Sequence, residues 1–264
     1  MLNVKSILGQ RDILFITFDT LRFDVAAGAM RNNQTPFLQS LLPKGEWEKR
    51  HSPASFTYAA HHAFFTGFLP TPAEPGPHER LFALDFPGSA TTGERTLTFD
   101  APDIISGFRK HNYQSLCIGG VGFFNKLTPL GCTLPAMFDE SQWTPEFGVT
   151  DKNSADNQFT YAAQYLKRAA ANQRVFMFIN LSAMHQPNYH HLDGAVSDST
   201  ASQAAALGAV DAALAKHSKS FEDREWLCVF TSDHGTVYGE DKYQGHRLAH
   251  ETVWTVPYAE FLWG

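Results

Sequence analysis

Cysteine is scarce in this 264-residue sequence, with three residues at positions 117, 132 and 228. An odd, widely spaced set supplies neither a disulfide framework nor a paired-cysteine zinc knuckle. Cys117 and Cys228 lie in apolar, strand-like runs and read as buried thiols. Long apolar stretches are also missing. The longest runs, Ile13–Ile16 and Val175–Ile179, are strand-sized and far too short to cross a bilayer. Met1–Gln10 holds no apolar core of signal-peptide length. These absences lead to the expectation of a cytoplasmic protein with no membrane partner. Charge is sparse as well: 18% of residues are charged, the net charge is −6, and no stripe of Lys and Arg stands out. Nucleic acid is therefore not expected as a partner.

What is present is core-forming material, 43% apolar and 13% aromatic. That is enough for one large α/β domain, taken here as residues 1–264. Apolar runs alternate with helical patterns, the sign of a sheet covered on both faces. Strands are predicted at Ile13–Phe18, Gln114–Ile118, Val175–Leu181, Trp226–Thr231 and Val256–Leu262. Ala155, Phe159, Ala162, Leu166 and Ala169 recur at helical spacing. A second helix is predicted to open at Thr200, with Gln203 completing a capping box and Leu207, Val210 and Leu214 on one face. Asp211 on that helix reads as structural. The Pro- and Gly-rich stretch from Leu69 to Arg95 reads as a long loop overlying the active site.

Three segments carry chemistry. The first predicted strand runs into Asp19 within Asp19-Thr-Leu-Arg-Phe-Asp24, and the strand Trp226–Thr231 is followed by Ser232 and Asp233-His234-Gly235. In open α/β sheets, ligands lie beyond the carboxyl ends of strands, so two such ends delivering Asp and His form a candidate site for a hard cation or zinc. The plainer alternative is that Asp19 and Asp233 cap turns or helices. The third segment places Thr57 at the start of a helix, Tyr58–Thr66, closed by Gly67. As N-cap residue, Thr57 would sit where free backbone N–H groups favour an anion. Taken alone, an ordinary cap explains Thr57 equally well. A threonine hydroxyl is a poor nucleophile, and coordination to metal is one way to activate it.

As an ordered set these segments resemble the alkaline phosphatase and sulfatase superfamily. There, an aspartate ends the first strand, a nucleophile opens a helix finishing in Thr-Gly, and an Asp-His-Gly ends a later strand. Thr57 stands nine residues before Thr66, as the family's nucleophile does, and Gly239-Glu240 fits the stretch after Asp233-His234-Gly235. The resemblance implies a three-layer α/β/α sandwich with a mostly parallel central sheet. It also implies a metal held by Asp19, Thr57, Asp233 and His234, with zinc or manganese as one or two ions. His185-Gln-Pro-Asn-Tyr189 is similar to a loop of phosphoethanolamine transferases, and His246 lies twelve residues after His234 as in those enzymes. By the resemblance, His185 and His246 bind the substrate's charged group or a second metal. His250 resembles a histidine that binds metal upstream of a Val-Pro in phosphopentomutases, with spacing one residue longer here.

The nucleophile separates the branches. Sulfatases convert Cys or Ser to formylglycine, which a threonine cannot yield, and His61 stands where their arginine would follow. Threonine at this place resembles nucleotide pyrophosphatase/phosphodiesterases and phosphoethanolamine transferases. The expectation is a metal-dependent hydrolase of a small phosphate ester, mono- or diester, through a phosphothreonine on Thr57. A phosphotransferase and a catalytically silent metal-binding relative acting through a partner protein are the alternatives. The second metal site departs from the pattern, because the loop before His185 has Asn180 but no aspartate in register. Asp151, Asp193 or Glu251 would have to complete it, or one tight metal suffices. His61 and His62 read as packing or support, and His190 and His191 as solvated loop residues.

Overall fold

The computed structural model describes residues 2–67 and 103–264. Its strands are β1 (Asp12–Phe18), β2 (Glu48–His51), β3 (Tyr113–Ile118), β4 (Glu140–Gln142), β5 (Arg174–Leu181), β6 (Trp226–Thr231), β7 (Val237–Tyr238), β8 (Gln244–Gly245) and β9 (Thr255–Trp263). The first α-helices are α1 (Val4–Ile7), α2 (Phe23–Arg31), α3 (Pro36–Leu41), α4 (Thr57–Thr66) and α5 (Ile104–Lys110). They are followed by α6 (Pro129–Thr133), α7 (Ser154–Arg168), α8 (Thr200–Glu222) and α9 (Glu251–Trp254). Seven strands form one sheet in the order β2-β9-β6-β1-β5-β3-β4, and β7 pairs with β8 apart from it. The run from β6 to β4 is parallel. β9 is antiparallel to both of its neighbours, β6 and β2.

Side chains alternate across each strand, so a strand buried on both faces must be apolar throughout. β1 shows this directly. Leu14, Ile16 and Phe18 enter one core with Val25, Leu38, Phe159 and Leu207 from α2, α3, α7 and α8. Ile13 and Phe15 enter the other with Phe65 of α4 and Ile105 of α5. Helices thus cover both faces, and the fold is an α/β sandwich around a mostly parallel sheet. α4 is seated by edge-to-face contact of Phe65 with Phe178 on β5, ring centroids 5.1 Å apart. Gly67 ends α4 at φ 73°, in the left-handed region that a glycine enters without steric cost.

The five predicted strands are present, each within one residue of its expected ends. β2 and β4 escaped prediction. Both are short edge strands, and the Glu-Lys-Arg-His of β2 is exposed throughout, so no apolar alternation marks it. The α8 cap needs correction by one residue. Ser199 is the N-cap and exchanges bonds with Ser202, while Thr200 is already helical. Gln203 turns inward instead, fully buried, and donates to the Thr20 carbonyl at 2.9 Å. Thr57 also shifts by one: extended Phe56 is the N-cap, and the Thr57 side chain caps nothing. The loop expected at Leu69–Arg95 lies outside the described residues. Among those described, no helix is long and apolar enough to cross a membrane.

Asp211 has the structural role expected of it. The N-cap residue of α3, Thr35, makes no capping bond, and Asp211 accepts from the backbone N–H groups of Phe37 and Leu38 at 3.2 and 2.6 Å. Asp211→Ala leaves both donors without a partner, a loss of about 1–3 kcal/mol. Urea denaturation of this variant should show that loss, while metal binding and turnover stay unchanged.

Candidate metal and active site

β1 and β6 run parallel side by side, with Thr17 opposite Thr231, so the chain leaves both at the same edge. Asp19 is the first residue beyond β1, and Asp233 the second beyond β6. β5 flanks β1 on the other side and sets Asn180 opposite Thr17. From the sheet's second face, α4 brings its first residue, Thr57, to the same place. The Thr57 hydroxyl lies 3.4 Å from Asp19 Oδ2 and 3.2 Å from His234 Nε2. Asp19, Thr57, Asp233 and His234 are all buried.

The two carboxylates are tightly held. Asp19 Oδ1 accepts from the Thr20 hydroxyl at 2.8 Å, and Oδ2 accepts from Asn180 Nδ2 at 3.0 Å. Asp233 Oδ1 accepts from the backbone N–H groups of Thr20 and His234, each at 3.0 Å. Asp233 Oδ2 is buried and has no hydrogen-bond partner among the described residues. Burial alone would raise the Asp19 pKa, but His185 and His234 together with the Asn180 and Thr20 donors hold it below the ordinary value. Burial and the Asp19 charge push Asp233 well above its ordinary range. Two carboxylates without an Arg or Lys partner among the described residues, one oxygen unbonded, are the surroundings a cation completes.

Histidine tautomers agree with that reading. His234 Nδ1 lies 2.9 Å from the Gly235 carbonyl, which can only accept, so Nδ1 carries the proton and Nε2 presents a lone pair. A backbone carbonyl holding the remote ring nitrogen is the usual arrangement of a metal-binding imidazole. His185 is fixed the same way, Nδ1 donating to the Gln186 carbonyl at 2.6 Å. One ligand atom each from Asp19, Asp233 and His234 lies within 4.8 Å of the others. Donor set, tautomer and orphaned oxygen all fit a divalent ion held by these three residues.

His185 and His246 are brought to the group. The His246 ring lies 4.5 Å from that of His234 and 5.7 Å from that of His185, centroid to centroid. Burial, then the neighbouring His234 and His185, push His246 down to about 3, so it is a neutral imidazole, with Nδ1 unpartnered among the described residues. His250 is not brought in. Its Nδ1 accepts from Thr252 N–H to cap α9, and its Nε2 faces Asp241 at 3.2 Å, which leaves no ring nitrogen for the ion. Nor do the residues expected to complete a second site join the group. Asp151 accepts from Asn153 N–H, Glu251 pairs with Lys49, and Asp193 is exposed.

Thr17 and Thr20 carry no signal in the sequence, whereas Asn180, His61 and the opening motif do. Thr20 touches both carboxylates, and Asn180 replaces the missing aspartate with an amide donor. Its Oδ1 accepts from Val121 N–H at 3.0 Å, which turns Nδ2 toward Asp19. His61 lies under the site, pushed down to about 4 by burial. Its Nδ1 donates to the Thr57 carbonyl at 2.7 Å and its Nε2 accepts from the Thr17 hydroxyl at 3.0 Å. The opening motif also has a structural half, in which buried Arg22 joins Asp24 at 2.8 Å to Glu240. His190 and His191, expected in solvent, are half-buried against each other.

A family model described as Sulfatase matches residues 11–260. The periplasmic domain of phosphoethanolamine transferase EptC from Campylobacter jejuni is similar in structure, with a TM-score of 0.63 and 12% identity over 96% of this chain and 79% of that one. The corresponding EptC domain from Escherichia coli, solved as a complex with Zn, gives 0.61 and 14% over 96% and 72%. The phosphonate monoester hydrolase of Agrobacterium radiobacter gives 0.62 and 13% over 95% and 68%. At such identities these likenesses establish the fold. No curated protein matches the chain.

Asp233→Asn separates charge from packing at this site. Replacing Asp233 with an uncharged amide of the same shape should let the metal-free variant, in EDTA, melt at or above the wild-type temperature. Zinc should raise the wild-type melting temperature by several degrees and leave that of Asp233→Asn unmoved. Differential scanning calorimetry with and without zinc reads both effects.

Proposed function

The chain belongs to the sulfatase family, and from that premise we propose that it is a metal-dependent phosphoric ester hydrolase with Thr57 as its nucleophile. The observation that carries the reading is the placement of Thr57 Oγ1 between Asp19 Oδ2 and the lone pair of His234 Nε2. That side chain caps no helix turn and bonds instead to ionisable, ligand-type groups. Threonine cannot become formylglycine, and His61 stands where the sulfatase arginine would follow, which favours phosphorus over sulfur as the centre attacked.

A divalent cation on Asp19, Asp233 and His234 would supply Lewis acidity that lowers the pKa of the threonine hydroxyl. The Zn complex of the similar EptC domain supports zinc over manganese. Thr57 Oγ1 passes its proton to solvent and attacks phosphorus in line, and the departing alkoxide takes up a proton from solvent in turn. The bond from phosphorus to the departing alkoxide breaks, and phosphothreonine remains. Water then attacks the phosphothreonine, returning the hydroxyl to Thr57 and releasing phosphate from a monoester or a phosphomonoester from a diester. His185 and His246 adjoin the group on the His234 side and bind the phosphoryl oxygens.

Transfer to an acceptor other than water is the second reading, favoured by the similarity to phosphoethanolamine transferases. With an aryl phosphate monoester as substrate, release of inorganic phosphate in step with the phenol indicates hydrolysis, and phenol released in excess indicates transfer. We propose further that residues 1–264 act as one domain, because β2, β1 and β9, from both ends of the chain, share one sheet. A cytoplasmic location is proposed on the three free thiols.

With zinc-loaded protein and an aryl phosphate or bis-aryl phosphate, Thr57→Ala should lose turnover and keep its fold. Thr57→Ser should retain part of the rate, since a primary hydroxyl can still attack. Near-normal turnover in Thr57→Ala would overturn the mechanism. His185→Ala and His246→Ala should each slow turnover by about tenfold or more, as expected for lost transition-state stabilisation. Melting several degrees lower with full activity would instead make these histidines packing residues.

A further inference from the structure

Thr20 has a backbone that its side chain disfavours. Leu21 N–H closes a turn onto the Phe18 carbonyl at 3.2 Å, which places Thr20 at the third position with φ 67°. A left-handed residue at that position of a turn is ordinarily glycine, and a β-branched side chain there is strained. Yet Thr20 is completely buried and every polar group it owns is used. Its N–H donates to Asp233 Oδ1 at 3.0 Å, its hydroxyl to Asp19 Oδ1 at 2.8 Å, and its carbonyl accepts from Gln203 Nε2 at 2.9 Å.

The left-handed turn is what lets one residue reach both carboxylates. It also decides which oxygens remain. Thr20 occupies the Oδ1 atom of each, so the Oδ2 atoms of Asp19 and Asp233 are the ones turned toward Thr57 and His234. Strain retained where glycine would relieve it points to a gain elsewhere at the site.

We propose that Thr20 is a positioning residue that clamps Asp19 and Asp233 through their Oδ1 atoms and so presents both Oδ2 atoms to one divalent cation. The proposal rests on the metal-site reading above. It requires the hydroxyl and not merely the turn. Residues that hold metal ligands from behind typically contribute about 10- to 100-fold to affinity.

Zinc affinity, measured by competition with a chromophoric chelator, and melting of the EDTA-treated protein test this on wild type and three variants. Thr20→Ser, which keeps the hydroxyl, should bind zinc within about threefold of wild type. Thr20→Ala, which keeps the N–H but not the hydroxyl, should bind about tenfold or more weakly. Thr20→Gly should also bind weakly, yet melt at or above wild type when metal-free, because its backbone is relaxed. Unchanged zinc affinity in Thr20→Ala and Thr20→Gly, with wild type binding normally, would overturn the clamp alone. Failure of wild type to bind zinc would overturn the metal site itself.

Discussion

Two carboxylates, Asp19 and Asp233, are buried side by side without a cationic side chain bonded to either among the described residues. Two like charges 4 Å apart repel by about 4 kcal/mol even at an effective dielectric of about 20. A protein of ordinary stability has only about 5–15 kcal/mol in hand. The arrangement is therefore costly unless something offsets it. Protonating Asp233 is the answer available without metal, which is the direction of its pKa shift. A divalent cation is the answer that also engages the unbonded Asp233 Oδ2 and the lone pair of His234.

The fold exists in service of that juxtaposition. Parallel pairing of β1 with β6 carries both chain ends to one edge, and β5 adds Asn180 from the other side. The apolar faces of these strands are consumed by packing, so polar residues cluster where the strands stop. α4 is held by its aromatic face against β5, which fixes where its first residue lies. His61 ties that first turn back to β1 through Thr17. Thr57 thus sits on the first turn of a packed helix, and its neighbours come from the ends of buried strands.

Much of this was legible in the sequence because burial leaves a pattern. Continuous apolar runs gave away β1, β5 and β6, and an acidic residue ending such a run stands out, as Asp19 and Asp233 do. Edge strands leave no such trace, which is why β2 and β4 went unseen. Thr20 and Thr17 leave no trace for another reason: threonine is common, and its role lies in the direction of one hydrogen bond, whereas Asn180 shows in the sequence only as the residue standing where an aspartate is expected. His250 illustrates the converse. A histidine near the right motif drew attention, but one extra residue of spacing directs it to Asp241 and the α9 cap instead. The helix caps were off by one residue each, since serine, threonine and an extended neighbour compete for the same position.

Chemistry follows from which atom of the site is free to move. Asp19, Asp233 and His234 are each fixed by bonds from behind, whereas the Thr57 hydroxyl bonds, among the described residues, to ligand-type atoms alone, which is what the proposed attack on phosphorus requires. Rapid acid quench of the zinc-loaded protein during turnover of an aryl phosphate, followed by peptide mapping, measures that event directly. Phosphate is expected on the peptide carrying Thr57, formed and lost at rates compatible with turnover. Phosphate on another residue, or none on any residue while substrate is consumed, would contradict the assignment of Thr57 as nucleophile.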